Sequence, residues 1–230
     1  MIKWSKKYGG ARNVFTGSAS GVTSGQYFVD LTKLPDGDYG CIPAGTPILI
    51  DDAARTIAIH YAFELYEEQA TGTQATFQAK IKKGPEGSRI QAGMILGVAP
   101  STLAGLSEPT TDVYTVGTID RTTSALYDVV TVSNPNSGGT TATLAAGTVF
   151  IEMSEVGESS GNYYATVLPN GFTFYDVSKH DNAIHMYGVD GLFCQHDGVL
   201  LVNRIPPIAD SVRDYMRSKD VYVRYSAAEE

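Results

Sequence analysis

From Tyr27 onward, short apolar runs alternate with clusters of Gly, Ser, Thr, Asn and Pro, and this beat constrains the fold more than any other feature. The runs are Ala75–Ile81, Met94–Val98, Val113–Ile119, Ala125–Val132, Val149–Met153, Tyr163–Leu168, Ala183–Tyr187 and Val199–Val202. Between them lie turn formers, most clearly Ser133-Asn134-Pro135-Asn136-Ser137-Gly138-Gly139. Short strands at even spacing with turn signals between them predict a sandwich or a barrel. The 24 Gly and 14 Tyr fit that reading, since Tyr favours strands and Gly supplies turns. The expected class is mainly β: a short-strand β-barrel or sandwich with one C-terminal helix and an extended N-terminal arm.

Local signals refine this. Leu34-Pro35-Asp36-Gly37-Asp38 is a turn, and Ile42-Pro43-Ala44-Gly45-Thr46-Pro47-Ile48-Leu49-Ile50 is a tight turn feeding a strand. Pro43 and Pro47 lack N–H donors, which places them at a strand's end or edge. Ile57, Ile59, Tyr61, Phe63 and Leu65 alternate with Ala58, His60, Ala62 and Glu64, so one half-buried strand is expected there, with Asp51-Asp52-Ala53-Ala54 as the hairpin turn before it. Pro206 and Pro207 open a helix whose Ile208, Val212, Tyr215 and Met216 share one face. A last strand is expected at Val221–Tyr225. Residues 1–28 hold one Trp, two Tyr and two Phe among Gly, Ser, Thr and Lys; nothing in Gly17-Ser18-Ala19-Ser20-Gly21 could build a core, and the stretch reads as an arm that orders against a partner. Residues 29–230 form the β-rich body, with a candidate subdivision near 100–112.

One pattern recurs. Ala-Gly-x-x-apolar occurs as Ala44-Gly45-Thr46-Pro47-Ile48, Ala92-Gly93-Met94-Ile95-Leu96 and Ala146-Gly147-Thr148-Val149-Phe150, each with an upstream apolar residue at Ile42, Ile90 or Leu144. The glycine allows a positive φ, so the chain turns sharply into a new strand. The unequal gaps between copies speak for reused turn chemistry and against a repeat array.

Pro43-Ala44-Gly45-Thr46-Pro47-Ile48-Leu49-Ile50-Asp51, a polar turn with Arg55, and then Thr56-Ile57-Ala58-Ile59-His60 resemble the opening of phage head decoration proteins of the lambda protein D family. Gly93-Met94-Ile95-Leu96-Gly97-Val98-Ala99 is similar to a later segment of that family. The length, the Gly-rich arm and the Tyr-rich body look more like phage head-fibre proteins. The resemblance covers about residues 42–100 and hardly touches the last part of the chain. It implies a non-catalytic virion protein on the capsid surface, made in the host bacterial cytoplasm, with the major capsid protein as partner and a homotrimer as the assembly. It also implies a capsid-binding arm, for which Trp4, Lys6, Lys7, Tyr8, Arg12 and Phe15 are candidates. Pro43, Gly45, Thr46, Pro47, Gly93 and Gly147 carry the family-like turn–strand motif.

Charge narrows the partners. A formal net charge of −8 argues against nucleic acid and against an anionic membrane surface. No apolar run approaches the roughly 20 residues that cross a bilayer, and the first residues lack the apolar segment of a signal peptide. Cys41 and Cys194 form neither a disulfide framework nor a metal motif and read as buried thiols.

Enzyme chemistry finds little footing. Asp176, His180, Asp181, His185, Asp190, Cys194, His196 and Asp197 cluster in sequence, but their spacing matches no known metal pattern, so no metal and no cofactor is expected. There is no Gly-x-Ser-x-Gly elbow, and the Gly-rich stretches lack the Lys-Ser/Thr of a phosphate loop. Glu64, Glu67 and Glu68 read as a solvated strand end. The aromatics Tyr163, Tyr164, Phe172 and Tyr175, with Phe174, gather around Asn170-Gly171 and are candidate ligand contacts. They motivate the alternative function, a carbohydrate-binding module or adhesin-type fibre head that takes a surface glycan. A cupin-like metal enzyme stands third.

Overall fold

The computed structural model describes residues 15–16, 22–23, 27–29, 34, 41–84, 87–135, 142–155, 161–173, 177–178, 191–192, 198–221 and 223–226. Among the described residues the protein is mainly β with one α-helix near the C-terminal end, and no sheet closes into a barrel. The strands of the first part are β1 (Phe15–Thr16), β2 (Val22–Thr23), β3 (Phe28–Val29), β4 (Cys41–Ile42), β5 (Pro47–Asp51), β6 (Thr56–Ile59), β7 (Ala62–Glu64), β8 (Gln69–Ala70) and β9 (Thr76–Lys82). The middle supplies β10 (Ile95–Val98), β11 (Val113–Asp120), β12 (Tyr127–Ser133), β13 (Thr143–Leu144), β14 (Val149–Glu155), β15 (Tyr163–Ala165) and β16 (Gly171–Thr173). The last part adds β17 (Val177–Ser178), β18 (Gly191–Leu192), β19 (Gly198–Leu201), α1 (Asp210–Ser218) and β20 (Val223–Ser226).

The largest sheet runs β15-β14-β10-β11-β12-β9. Its strand β14 gives one edge to β7 through Val149–Ile151 and then to β15 through Met153–Glu155. A six-stranded sheet runs β2-β18-β16-β5-β6-β3, and a three-stranded sheet runs β1-β19-β20. In the last of these, β19 and β20 are parallel, with α1 in the crossover between them.

The expected strand over Ile57–Leu65 is two strands. Its alternation is real over β6, where Ile57 and Ile59 are buried and Ala58 is exposed. At His60 and Tyr61 the chain leaves the six-stranded sheet for the largest one, and β7 is covered on both faces. Phe63 packs into the first core and Ala62 into the second. The hairpin turn before β6 is as expected: β5 and β6 pair antiparallel from Ile48↔Ile59 to Asp51↔Thr56. Pro47 is the first residue of β5, where a missing N–H costs the ladder least.

The helix begins later than the prolines suggested. Ala209 is its N-cap, and Pro206 and Pro207 belong to the extended lead-in. The expected face is otherwise right, since Val212 and Met216 are fully buried. Val212 and Met216 join Leu106, Ile151, Met153, Phe172, Leu200 and Val223 in the second core. Leu106 lies in the stretch 100–112, so that stretch carries a buried anchor for the second core. The first core gathers Ile42, Ile59, Phe63, Leu65, Ile81, Ile90, Leu96, Tyr114, Val130 and Phe150.

Three observations bear on the expected arm. Phe15–Thr16 pairs antiparallel with β19 and Val22–Thr23 with β18, so both pieces are edge strands of the body. Tyr27 is 1% exposed and packs with Ile48, Ile50 and Ile57, its hydroxyl donating to Asp52. The body therefore begins before residue 29. The expected strand Ala183–Tyr187 and the cysteine at 194 lie outside the described residues.

Candidate functional site

The three Ala-Gly turns are one device built three times. Gly45, Gly93 and Gly147 have φ of +77°, +87° and +81°, the left-handed value of the third residue in a type II turn. The closing bonds run from Thr46 N to Pro43 O (3.2 Å), Met94 N to Gln91 O (3.3 Å) and Thr148 N to Ala145 O (3.1 Å). Each turn is then locked to one residue of another segment by a reciprocal pair. Gly45 N donates to Thr173 O and Thr173 N to Thr46 O; Gly93 N donates to Val116 O and Val116 N to Met94 O. Likewise Gly147 N donates to Leu65 O and Leu65 N to Thr148 O. The upstream residues Ile42, Ile90 and Leu144 all pack at the first core. This arrangement sets the direction of β5, β10 and β14, and at the buried first turn it satisfies N–H groups that would otherwise be lost in the interior.

A buried polar knot underlies the first turn. Thr46 Oγ1 donates to Pro43 O (2.6 Å), Thr173 Oγ1 donates to the same carbonyl (2.8 Å), and Thr46 N donates to Thr173 Oγ1 (3.1 Å). Arg89, 5% exposed, reaches Thr46 Oγ1 at 3.4 Å. Nearby, His60 is 2% exposed and its Nδ1 stands 2.7 Å from Val167 O, which requires the proton on Nδ1. Burial, with the positive charge of Arg89 adding to it and the Val167 bond opposing, lowers its pKa to about 4. The imidazole is thus a neutral packing element tying the β6–β7 junction to the 166–170 segment.

A second buried knot joins β9 to β12. Asp128 is fully buried between Arg121 (3.1 Å) and Lys83 (3.1 Å). Lys83 Nζ also donates to Arg121 O (2.7 Å) and Ser124 O (2.6 Å), and its approach to Asp128 Oδ1 is a close ion contact lying off the hydrogen-bond direction. Both knots hold strands together.

The residues singled out from sequence disperse. Trp4, Lys6, Lys7, Tyr8, Arg12 and Tyr175 lie outside the described residues, as does the Asp/His/Cys cluster between 176 and 197. Phe15 is in β1, opposite Leu200. Phe172 is fully buried in β16, which removes it from the ligand-contact set: a strand between β5 and β18 turns its ring into the second core. Tyr163 and Tyr164 are half-buried on β15, and Tyr163 exchanges backbone bonds with Thr110. Glu64 and Glu67 pair with Lys82 (2.8 Å) and Lys80 (2.7 Å) across strands. Among the described residues no group of three or more His, Cys, Asp or Glu could hold a metal ion, and no helix is long and apolar enough to cross a membrane.

The opening that sequence reasoning missed is a cleft of about 350 Å³ where the body meets the lead-in to α1. Pro43 and Gly147, from two of the three turns, line it, and Arg89 and Lys82 come from the body side. Only the crowding of Lys82-Lys83 before Gly84-Pro85 hinted at it, because its other wall comes from residues 202–213. Comparison with protein-family models, curated proteins and solved structures gave no match.

Proposed function

We propose that this chain is a non-catalytic structural protein of a virion. Within that class it is a head decoration or head-fibre protein of a tailed phage, seated on the outside of the capsid as a homotrimer with the major capsid protein as partner. The observation that carries the reading is the segment of about 42–100, whose likeness to decoration proteins lies in its turn–strand–turn–strand opening and in Gly93–Ala99. Those turns are rigid, reciprocally bonded fixtures. Rigid strand-directing turns, a buried polar knot and a buried ionic one suit a part whose task is mechanical. β1 and β2 are edge strands of the body, a place from which a preceding segment could reach a neighbour.

The test is co-sedimentation of the purified chain with phage capsids, with its solution mass measured by light scattering. A trimer that saturates capsid sites is expected, and deletion of residues 1–14 should abolish capsid binding. The cut stops before β1, because removing all of residues 1–28 would also take Tyr27 out of the core. A monomer that ignores capsids would overturn the proposal. If that monomer bound a glycan array, the adhesin reading would replace it.

A further inference from the structure

The cleft beside α1 has two chemically distinct walls. The C-terminal side is apolar, formed by Val202, Ile205, Pro206, Pro207 and Ile208. Across from it stand Lys82, Lys83 and Arg89, and Arg213 of α1 adds a fourth cation from the C-terminal side, with Glu64 as the one acid in the lining. This excess of positive side chains runs against the chain's formal net charge of −8. A volume of about 350 Å³ is near the lower bound for small-molecule sites, which pair an apolar lining with a few placed polar groups.

The four cations are not equivalent. Lys83 is committed to Asp128 and two carbonyls, so it sets the local sign without being an anchor. Arg89 is buried in the wall and keeps its charge at any ordinary pH. Arg213 is held in place by the Tyr225 ring, 4.7 Å from its guanidinium carbon. Its ion partner, Asp210, is 86% exposed and lies outside the lining. Lys82 pairs with Glu64 at 2.8 Å, with exposures of 52% and 29%. Exposed pairs of this kind contribute little, so either cation can turn to a bound anion at small cost.

We propose that this cleft binds a small organic anion, a carboxylate or phosphate group carried on a short apolar body. The head group sits among Arg89, Arg213 and Lys82, and the body lies on Ile205, Pro206 and Ile208. The site is independent of the capsid role and would stand if that reading failed.

Thermal unfolding and calorimetry of the full chain with four probes test it: benzoate, phenyl phosphate, inorganic phosphate and benzyl alcohol. Benzoate or phenyl phosphate should raise the midpoint and bind stoichiometrically, with the better of the two naming the head group. Inorganic phosphate should bind more weakly and benzyl alcohol not at all. Arg213→Gln should weaken binding roughly tenfold or more, as expected when a charge-assisted hydrogen bond is lost. Lys82→Ala, at a more exposed position less able to disturb folding, should weaken it by a smaller factor. No binding of either aromatic anion to the folded chain overturns the proposal. So does equal binding of benzyl alcohol, or affinity unchanged in both variants.

Discussion

The turn at Gly45 and the turns at Gly93 and Gly147 share backbone angle, closing bond and locking pair, yet they sit in different surroundings. A Cβ built on Gly93 or Gly147 meets nothing within 4 Å. One built on Gly45 runs into Cγ2 of Ile205, with Ile205 Cβ at 3.3 Å and Leu200 Cδ1 at 3.5 Å. The first turn is roofed by the C-terminal segment and floored by the Thr46–Thr173 knot, whereas the other two are open. The contrast separates two reasons for glycine. All three positions need its conformational freedom, and only Gly45 also needs its lack of a side chain.

The widest break in that comparison should come from Gly45→Ala. A left-handed alanine costs about 1–2 kcal/mol, and forcing a methyl into a packed contact adds about 1–3 kcal/mol. The sum, about 2–5 kcal/mol by urea unfolding, would unfold a marginal domain. Adding Ile205→Ala should return the crowding part, seen as a coupling of about 1 kcal/mol or more in a double-mutant cycle. Strict additivity would mean that the roof over Gly45 does not press on it.

The polar ground near the first turn can be probed by pH. Unfolded, the His60 imidazole takes its proton near 6.5; folded, it resists until about 4. Between these values the unfolded chain binds more protons, so His60's contribution is complete above pH 6.5 and is lost as the pH falls towards 4. The span corresponds to a loss on the order of 3 kcal/mol. Chain stability measured against pH should therefore fall more steeply over this window in the wild type than in His60→Gln. Parallel curves would show that His60 carries no such burden.

The smallest effects belong to the open turns. Gly93→Ala and Gly147→Ala should each cost about 1–2 kcal/mol, the backbone term alone. If either matched Gly45→Ala in thermal or urea unfolding, the distinction between roofed and open turns would fail.

Much of this contrast was legible in the sequence, and the missing part has a physical reason. The pattern Ala-Gly-x-x-apolar announces a positive φ and a new strand, because only local sterics are involved. It cannot announce Ile205, which arrives from 160 positions away. The same limit explains the other misses. His60 falls on the outward phase of a good alternation, yet it is buried because the chain changes sheets there. Phe172 stands beside Asn170-Gly171 like a loop-tip aromatic, but pairing with β5 and β18 encloses it. Asp128 looks like any polar residue in a strand, and its neutralising partners, Lys83 and Arg121, are found only once the strands pair. Periodicity and turn chemistry are properties of short segments; burial depends on what the rest of the chain lays on top.

The three-stranded sheet has a consequence in time. Phe15 pairs with Leu200, so residues made near the start wait for residues made about 185 positions later. At synthesis rates of about 5–20 residues per second, that is a delay of about 10–40 s. Until then β1 has no β19 to join, and of the two sheets that tie early strands to late ones this sheet waits the longer for its partners.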